Sequence, residues 1–313
     1  MSRIVRRLRH GAKRISDVLI GAVAIGVIRA LRLIDPDRMA DFGGRAMRVI
    51  GPWLPENRIG RENLIAAFPE KPPAEIETIL SGVWDNLGRM GAEFANLDRL
   101  GDFDPEHPDQ GRIIGDPSNV VRFTRLINDG KPALIFAAHL GNWELAAISA
   151  ATHKLDTAVL YRRPNIAAID RWLHETRTAS MGELISTSLD APLKIAEALQ
   201  RGAHVGMLVD QYYVRGVPVR FFGRRTMANP LLARLARHFD CPIHGARIIR
   251  LPGNRFRGEL TEEIKPARGP DGAIDIAGTM QIITSVVEGW IREHPEQWLW
   301  LHRRWRPEDE KRA

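Results

Sequence analysis

The segment Ala137-Ala138-His139-Leu140-Gly141-Asn142-Trp143-Glu144 holds the residue types best suited to proton transfer. An imidazole titrates near neutrality, so it can take a proton from a hydroxyl and give it back later in the same reaction. His139 directly follows an apolar run, residues 133–138, that reads as a buried strand. Open α/β sheets place their sites beyond the carboxyl ends of strands. Gly141 and Asn142 suit a turn and a helix cap, which puts Glu144 in a first helical turn. The His139–Glu144 spacing does not stack two side chains on one helix face. Across a strand–turn–helix corner, however, Glu144 can fold back on the imidazole, fix its tautomer and stabilise the imidazolium. The competing reading is a capped helix with a satisfied structural histidine.

Three further constellations follow. Tyr161-Arg162-Arg163-Pro164-Asn165 lies at a second strand end, and its two guanidiniums suit phosphate or carboxylate recognition if they are not simply a solvated loop. Asp210-Gln211-Tyr212-Tyr213 follows a strand over 205–209. In Val219-Arg220-Phe221-Phe222-Gly223-Arg224-Arg225, aromatic residues precede glycine and arginines. They fit either an acyl channel with a basic mouth or a core strand ending in a polar turn.

Other chemistries lack their residues. There is no His-Glu-X-X-His, no Gly-X-Ser-X-Gly and no P-loop lysine motif. The one cysteine, Cys241, excludes a multi-cysteine zinc site and reads as a buried structural thiol. The remaining histidines show no paired ligand spacing, so no metal is expected.

The elements that must position these residues can be read from periodicity. Residues up to about 105 form a helical lead-in, with apolar positions at helical spacing over 74–100. Residues 102–108 read as a connector. Strands are predicted over 133–138, 158–161, 205–209, 217–222 and 242–249, and helices over 145–151, 166–180, 192–200, 231–239 and 274–293. The alternation predicts an α/β fold over about 110–306, a sheet flanked by helices on both faces. Trp298, Trp300 and Trp305 close the chain, interleaved with His302, Arg303, Arg304 and Arg306.

At 313 residues and 44% hydrophobic, the chain has the makings of a folded globular enzyme and not of a multi-span membrane protein. Its net charge of +7 favours anionic partners. Arg3, Arg6, Arg7, Arg9, Lys13 and Arg14 crowd the N-terminus ahead of an apolar stretch, 18–28, that Arg29 and Arg32 interrupt. That run is short for a span, and residues 1–34 read as a basic amphipathic segment lying on an anionic membrane surface, with 35–313 as the catalytic domain.

Taken together, these segments resemble the late lauroyl/myristoyl acyltransferases of lipid A biosynthesis. The likeness is carried in order by Arg61-Glu62-Asn63-Leu64, Phe68-Pro69-Glu70, the His139–Glu144 block, Tyr161–Asn165, Asp210-Gln211, Phe221-Phe222-Gly223 and the ending Pro295–Trp305. It runs from about residue 58 to 306. The family usually has a threonine–glycine pair after Phe-Phe-Gly, where this chain reads Thr226-Met227-Ala228-Asn229-Pro230. The resemblance leaves acyl length and exact acceptor open.

The resemblance implies a glycerol-phosphate-acyltransferase-like mixed sheet with a helical N-terminal region, at the cytoplasmic face of a bacterial inner membrane. It implies direct transfer from an acyl carrier protein to a hydroxyl on a 3-hydroxyacyl chain of an anionic lipid A precursor, with acyl carrier protein as co-substrate and no cofactor. His139 is then the general base and Glu144 its orienter. Arg162 or Arg163 holds a phosphate, sugar acid or phosphopantetheine, and Asp210 is a weaker organiser of the site. Asn142, Gln211, Phe222, Gly223 and Arg303 complete the expected substrate contacts. The alternatives are an acyltransferase for another membrane glycolipid, or a non-enzymatic membrane-surface or nucleic-acid-binding protein built on basic and tryptophan-rich patches. The last gives no reason for His139 and Glu144 together, and nucleic acid is not expected as a partner.

Overall fold

Four of the five predicted strands join one sheet, and the fifth, over 217–222, joins a separate hairpin. A computed structural model describes residues 32–101, 104, 106–107, 109–162, 177 and 181–306, with positions 26 and 30. The basic segment up to residue 31 apart from positions 26 and 30, four positions of the connector (102, 103, 105 and 108), Arg163, Asn165 and nearly all of the helix expected over 166–180 lie outside the described residues.

Among the described residues seven strands pair in the order β1-β9-β8-β2-β5-β3-β4. They are β1 (Ile113–Ile114), β2 (Leu134–Ala137), β3 (Thr157–Tyr161), β4 (Glu183–Ser186), β5 (His204–Leu208), β8 (Ile243–Leu251) and β9 (Arg255–Leu260). From β4 to β8 all neighbours are parallel, and β9 runs antiparallel to β8. β6 (Val217–Phe221) and β7 (Arg224–Ala228) form a separate hairpin. The eight α-helices among the described residues are α1 (Pro36–Ile50), α2 (Pro55–Ala67), α3 (Pro73–Glu93), α4 (Pro117–Asn128), α5 (Glu144–Thr152), α6 (Ala191–Gln200), α7 (Leu231–Phe239) and α8 (Ile276–Glu293). This is the mixed α/β architecture expected.

Most helices begin where the sequence says they should. Asp35, Asp116 and Asp275 accept hydrogen bonds from the first backbone N–H groups of α1, α4 and α8. Proline occupies the first turn of α1, α2, α3, α4 and α6, where its missing N–H costs nothing. The lead-in helix ends earlier than its apolar stripe: α3 stops at Glu93 and tightens into a 3₁₀ stretch, Phe94–Arg99. Strands β7 and β9 carry too many charged residues to announce themselves by hydrophobicity, and β4, Glu-Leu-Ile-Ser, is too short to do so. β9, Arg-Phe-Arg-Gly-Glu-Leu, is held instead by its antiparallel register with β8.

The two faces of the sheet serve different ends. Leu134, Phe136 and Ala138 of the β2 segment are buried in the main core, where Phe136 stacks on Trp290 of α8 at 5.5 Å. Gly245 on β8 permits that packing, since a Cβ there would lie 2.6 Å from Phe136. The alternate residues Ile135 and Ala137 face the opposite way and line a cavity of about 820 Å³. Its other walls come from α4, α5 and the end of α3.

Candidate active site

β2 and β5 are adjacent and parallel, with Ala137 in register with Leu208. Two residues beyond each strand end come His139 and Asp210, so the register alone brings them side by side. Asp210 Oδ1 lies 2.8 Å from His139 Nδ1, and its Oδ2 accepts the His139 backbone N–H at 2.9 Å. The same Oδ2 accepts from Trp298 Nε1 at 2.7 Å. Asp210 is buried, and burial by itself favours its neutral form. The His139 charge and hydrogen bonds outweigh this and hold the carboxyl far below the usual carboxylate range. Burial likewise works to lower the His139 pKa, but the negative charge of Asp210, its hydrogen bond and the nearby Glu144 leave it raised. With Nδ1–H given to Asp210, Nε2 is the basic nitrogen. Gln211 Nε2 sits 3.3 Å from it, and Trp143 packs edge-on to the ring at 4.8 Å. His139, Trp143, Glu144 and Gln211 all line the mouth of the cavity.

The loop bearing His139 is fixed from three sides. Gly141 adopts φ +59°, and a Cβ there would meet the Ile248 carbonyl oxygen at 2.0 Å, so only glycine fits. The C-terminal segment crosses the loop: Leu140 bridges Trp298, Leu299 N donates to His139 O at 3.0 Å, and Gly141 N donates to Gln297 O at 3.0 Å. From below, Asn142 Nδ2 donates to Glu93 Oε2 at 2.8 Å, and Arg250 Nη2 donates to the same oxygen at 2.8 Å.

Several expected roles are corrected by this geometry. The group on the imidazole is Asp210, not Glu144. Glu144 opens α5, accepts a hydrogen bond from Arg177 and so points toward that guanidinium. Asn142 is fully buried, with its amide on Glu93 and its oxygen accepting Glu144 N at 3.3 Å, so it shapes the loop. Phe222 and Gly223 are the two-residue turn of the β6–β7 hairpin, with φ +52° and +70°. The Phe222 ring is spent on Phe68, Trp300 and Arg292, because a buried aromatic cluster gathers under the hairpin. Neither residue lines the cavity. Arg303 points to solvent, while its neighbour Arg304 is buried, donating to Thr226 Oγ1 at 2.8 Å and Met227 O at 3.0 Å. Arg162 does sit at the cavity rim.

Sequence reading did not single out Arg177, Trp298 as a donor to Asp210, or His302, whose imidazole is packed on Trp298 and pushed down to about 4 by burial. These partners lie dozens of residues from His139, and no local spacing announces them. Among the described residues no group of three or more His, Cys, Asp or Glu side chains is arranged to hold a metal ion.

Residues 11–307 match the family model for bacterial lipid A biosynthesis acyltransferase. The chain belongs to that family. No curated protein matches it. The family accounts for an acyltransferase acting in lipid A biosynthesis, and hence for a lipid acceptor. In this acyltransferase the histidine–aspartate pair opens on a cavity lined mainly by apolar side chains, the form a site for a hydrocarbon chain requires. Among its described residues no helix is long and apolar enough to cross a membrane.

Proposed function

We propose that this acyltransferase moves a fatty acyl group from an acyl-carrier-protein thioester to a hydroxyl on a 3-hydroxyacyl chain of a lipid A precursor. The observation that carries the reading is the His139–Asp210 pair at the mouth of the apolar cavity. The acyl chain lies in the cavity, with its thioester carbonyl at the rim beside His139. The acceptor hydroxyl gives its proton to Nε2 as its oxygen attacks the carbonyl carbon. Asp210 stabilises the imidazolium that forms. Collapse of the tetrahedral intermediate re-forms the carbonyl and breaks the C–S bond, and the departing thiolate takes the proton from Nε2. No enzyme nucleophile takes part. The Arg162 guanidinium at the rim suits a phosphate of either substrate.

The acceptor is reached from a membrane surface, at the cytoplasmic face of a bacterial inner membrane. Arg38, Phe42, Arg45 and Val49 form one exposed face of α1, continued by exposed Ile50 and Trp53. Arginines alternating with large apolar side chains suit the headgroup boundary of an anionic leaflet. The basic segment 1–34 adds to that attraction.

The reading is tested with purified protein, acylated carrier protein and a lipid A precursor, with mass spectrometry of the lipid product. The expected result is one added acyl ester on a 3-hydroxyacyl chain. Transfer from acyl-coenzyme A at equal efficiency refutes the donor, and acylation of a different glycolipid in preference refutes the acceptor.

A further inference from the structure

The face of β5 that lines the cavity carries His204, Gly206 and Leu208. Exposure climbs along this row. His204 is 4% exposed, Gly206 is intermediate, and Leu208 is 37% exposed although it lies in a central strand. The cavity therefore opens at the carboxyl ends of the strands, beside His139, and closes toward His204.

Gly206 has no conformational reason to be glycine. Its φ is not positive, and glycine inside a strand costs backbone entropy. It has no packing reason either. Among the described residues a Cβ at Gly206 would meet only Val159 Cγ2, at 3.9 Å, an ordinary contact. At Gly245, two strands away, a Cβ would lie inside 3 Å of both Phe136 and Trp290. Gly206 is in register with Ile135 on one side and Val159 on the other, so it forms a notch between two β-branched side chains. Below the notch His204 pairs in register with Thr157. Thr157 Oγ1 is spent on Met181 O at 3.1 Å, while neither ring nitrogen of the buried His204 has a hydrogen-bond partner among the described residues.

We infer that Gly206 keeps the lower part of the cavity open and that His204 forms its floor, so that these two residues set the length of acyl chain the enzyme accepts. The inference rests on the acyl-transfer reading above. At about 3.3 Å per residue, Gly206 lies roughly 13 Å below Asp210, and His204 roughly 7 Å further down. A side chain at 206 narrows that last stretch, and a large one closes it. A hydrocarbon pocket discriminates by about 10-fold or more for a methylene it cannot house.

The test is competition among a graded series of saturated acyl-carrier-protein thioesters, with the lipid products read by mass spectrometry. Gly206→Val and Gly206→Leu should move the optimum to shorter chains, with at least a 10-fold loss on the wild-type donor. The kcat on the new optimum should stay within several-fold of wild type. His204→Ala should extend the accepted range to longer chains. Where the larger variants fail to fold, Gly206→Ala, whose Cβ fits at normal contact, should shift the profile in the same direction by less. Folded Gly206 variants with the wild-type length profile overturn the inference, as does an equal loss on every chain length. Wild-type enzyme that transfers no acyl group at all refutes the acyl-transfer reading instead.

Discussion

The corner at His139 and the turn at Phe222 look alike in sequence: each ends a strand, contains a glycine and is followed by polar residues. Their outcomes are opposite. At the β6–β7 turn every aromatic face is used, with Phe222 enclosed by Phe68, Phe221, Trp300, Trp305 and Arg292. At the His139 corner the backbone, Asn142 and Nδ1 are all committed, while Nε2, 3.3 Å from the Gln211 amide, belongs to a side chain that lines the cavity. A catalytic group needs both conditions at once, a frame that removes its freedom and one reactive atom left to the substrate. The hairpin meets only the first.

The largest expected effect lies at that reactive atom. His139→Ala should lower kcat by about 10²–10⁴ while its thermal unfolding stays cooperative, because a lost general base costs that much. A folded variant with near-normal turnover removes His139 from the chemistry. Asp210→Asn comes next. The base acts as neutral imidazole, so the wild-type rate should fall as pH drops through the raised His139 pKa, above the ordinary histidine value. The amide removes the charge that raises this pKa and leaves the burial that lowers it. The acid limb of the pH–rate profile should therefore move to lower pH, along with a loss of about 10²-fold in kcat. An unmoved limb separates Asp210 from the imidazole.

Phe222→Ala breaks the comparison from the other side. Emptying a buried aromatic site should destabilise the protein by about 3–5 kcal/mol, seen in denaturant unfolding. The kcat of the folded fraction should change by less than about tenfold, well short of the general-base loss. A selective loss of activity without loss of stability would make the hairpin part of the site. The smallest effect is expected at Cys241, whose thiol is buried and pushed up to about 11. Cys241→Ser should retain activity, and intact mass during turnover should show no acyl adduct on the protein.

Much of the fold was legible because apolar runs and helix starts are local signals. The strand before His139, the helix at Leu231–Phe239 and the strand at β5 fall within a residue of their expected places. Strand β4 was not legible because its apolar run is only Leu184-Ile185, and β9 was not legible because charged residues interrupt it and its pairing with β8 holds it. The site was legible in part. His139 stood out because a polar residue directly after a buried strand needs a reason, and Asp210 followed the same rule after the strand predicted over 205–209. Phe222 and Gly223 misled because positive φ and aromatic packing leave the same residue types as a ligand channel.

Glu144 marks the boundary between the two kinds of information. The sequence by itself determined that a histidine ends a strand, that a glycine turns the chain and that a carboxylate opens the next helix. It did not determine which carboxylate meets the imidazole. That choice was made by pairing β2 with β5 in the register Ala137 to Leu208, which sets Asp210 beside His139 across a separation of 71 residues. Arg177 then takes Glu144 from 33 residues away. Local pattern encodes the period of each element. Only the packed sheet decides which strand ends are neighbours, and through them which charges meet.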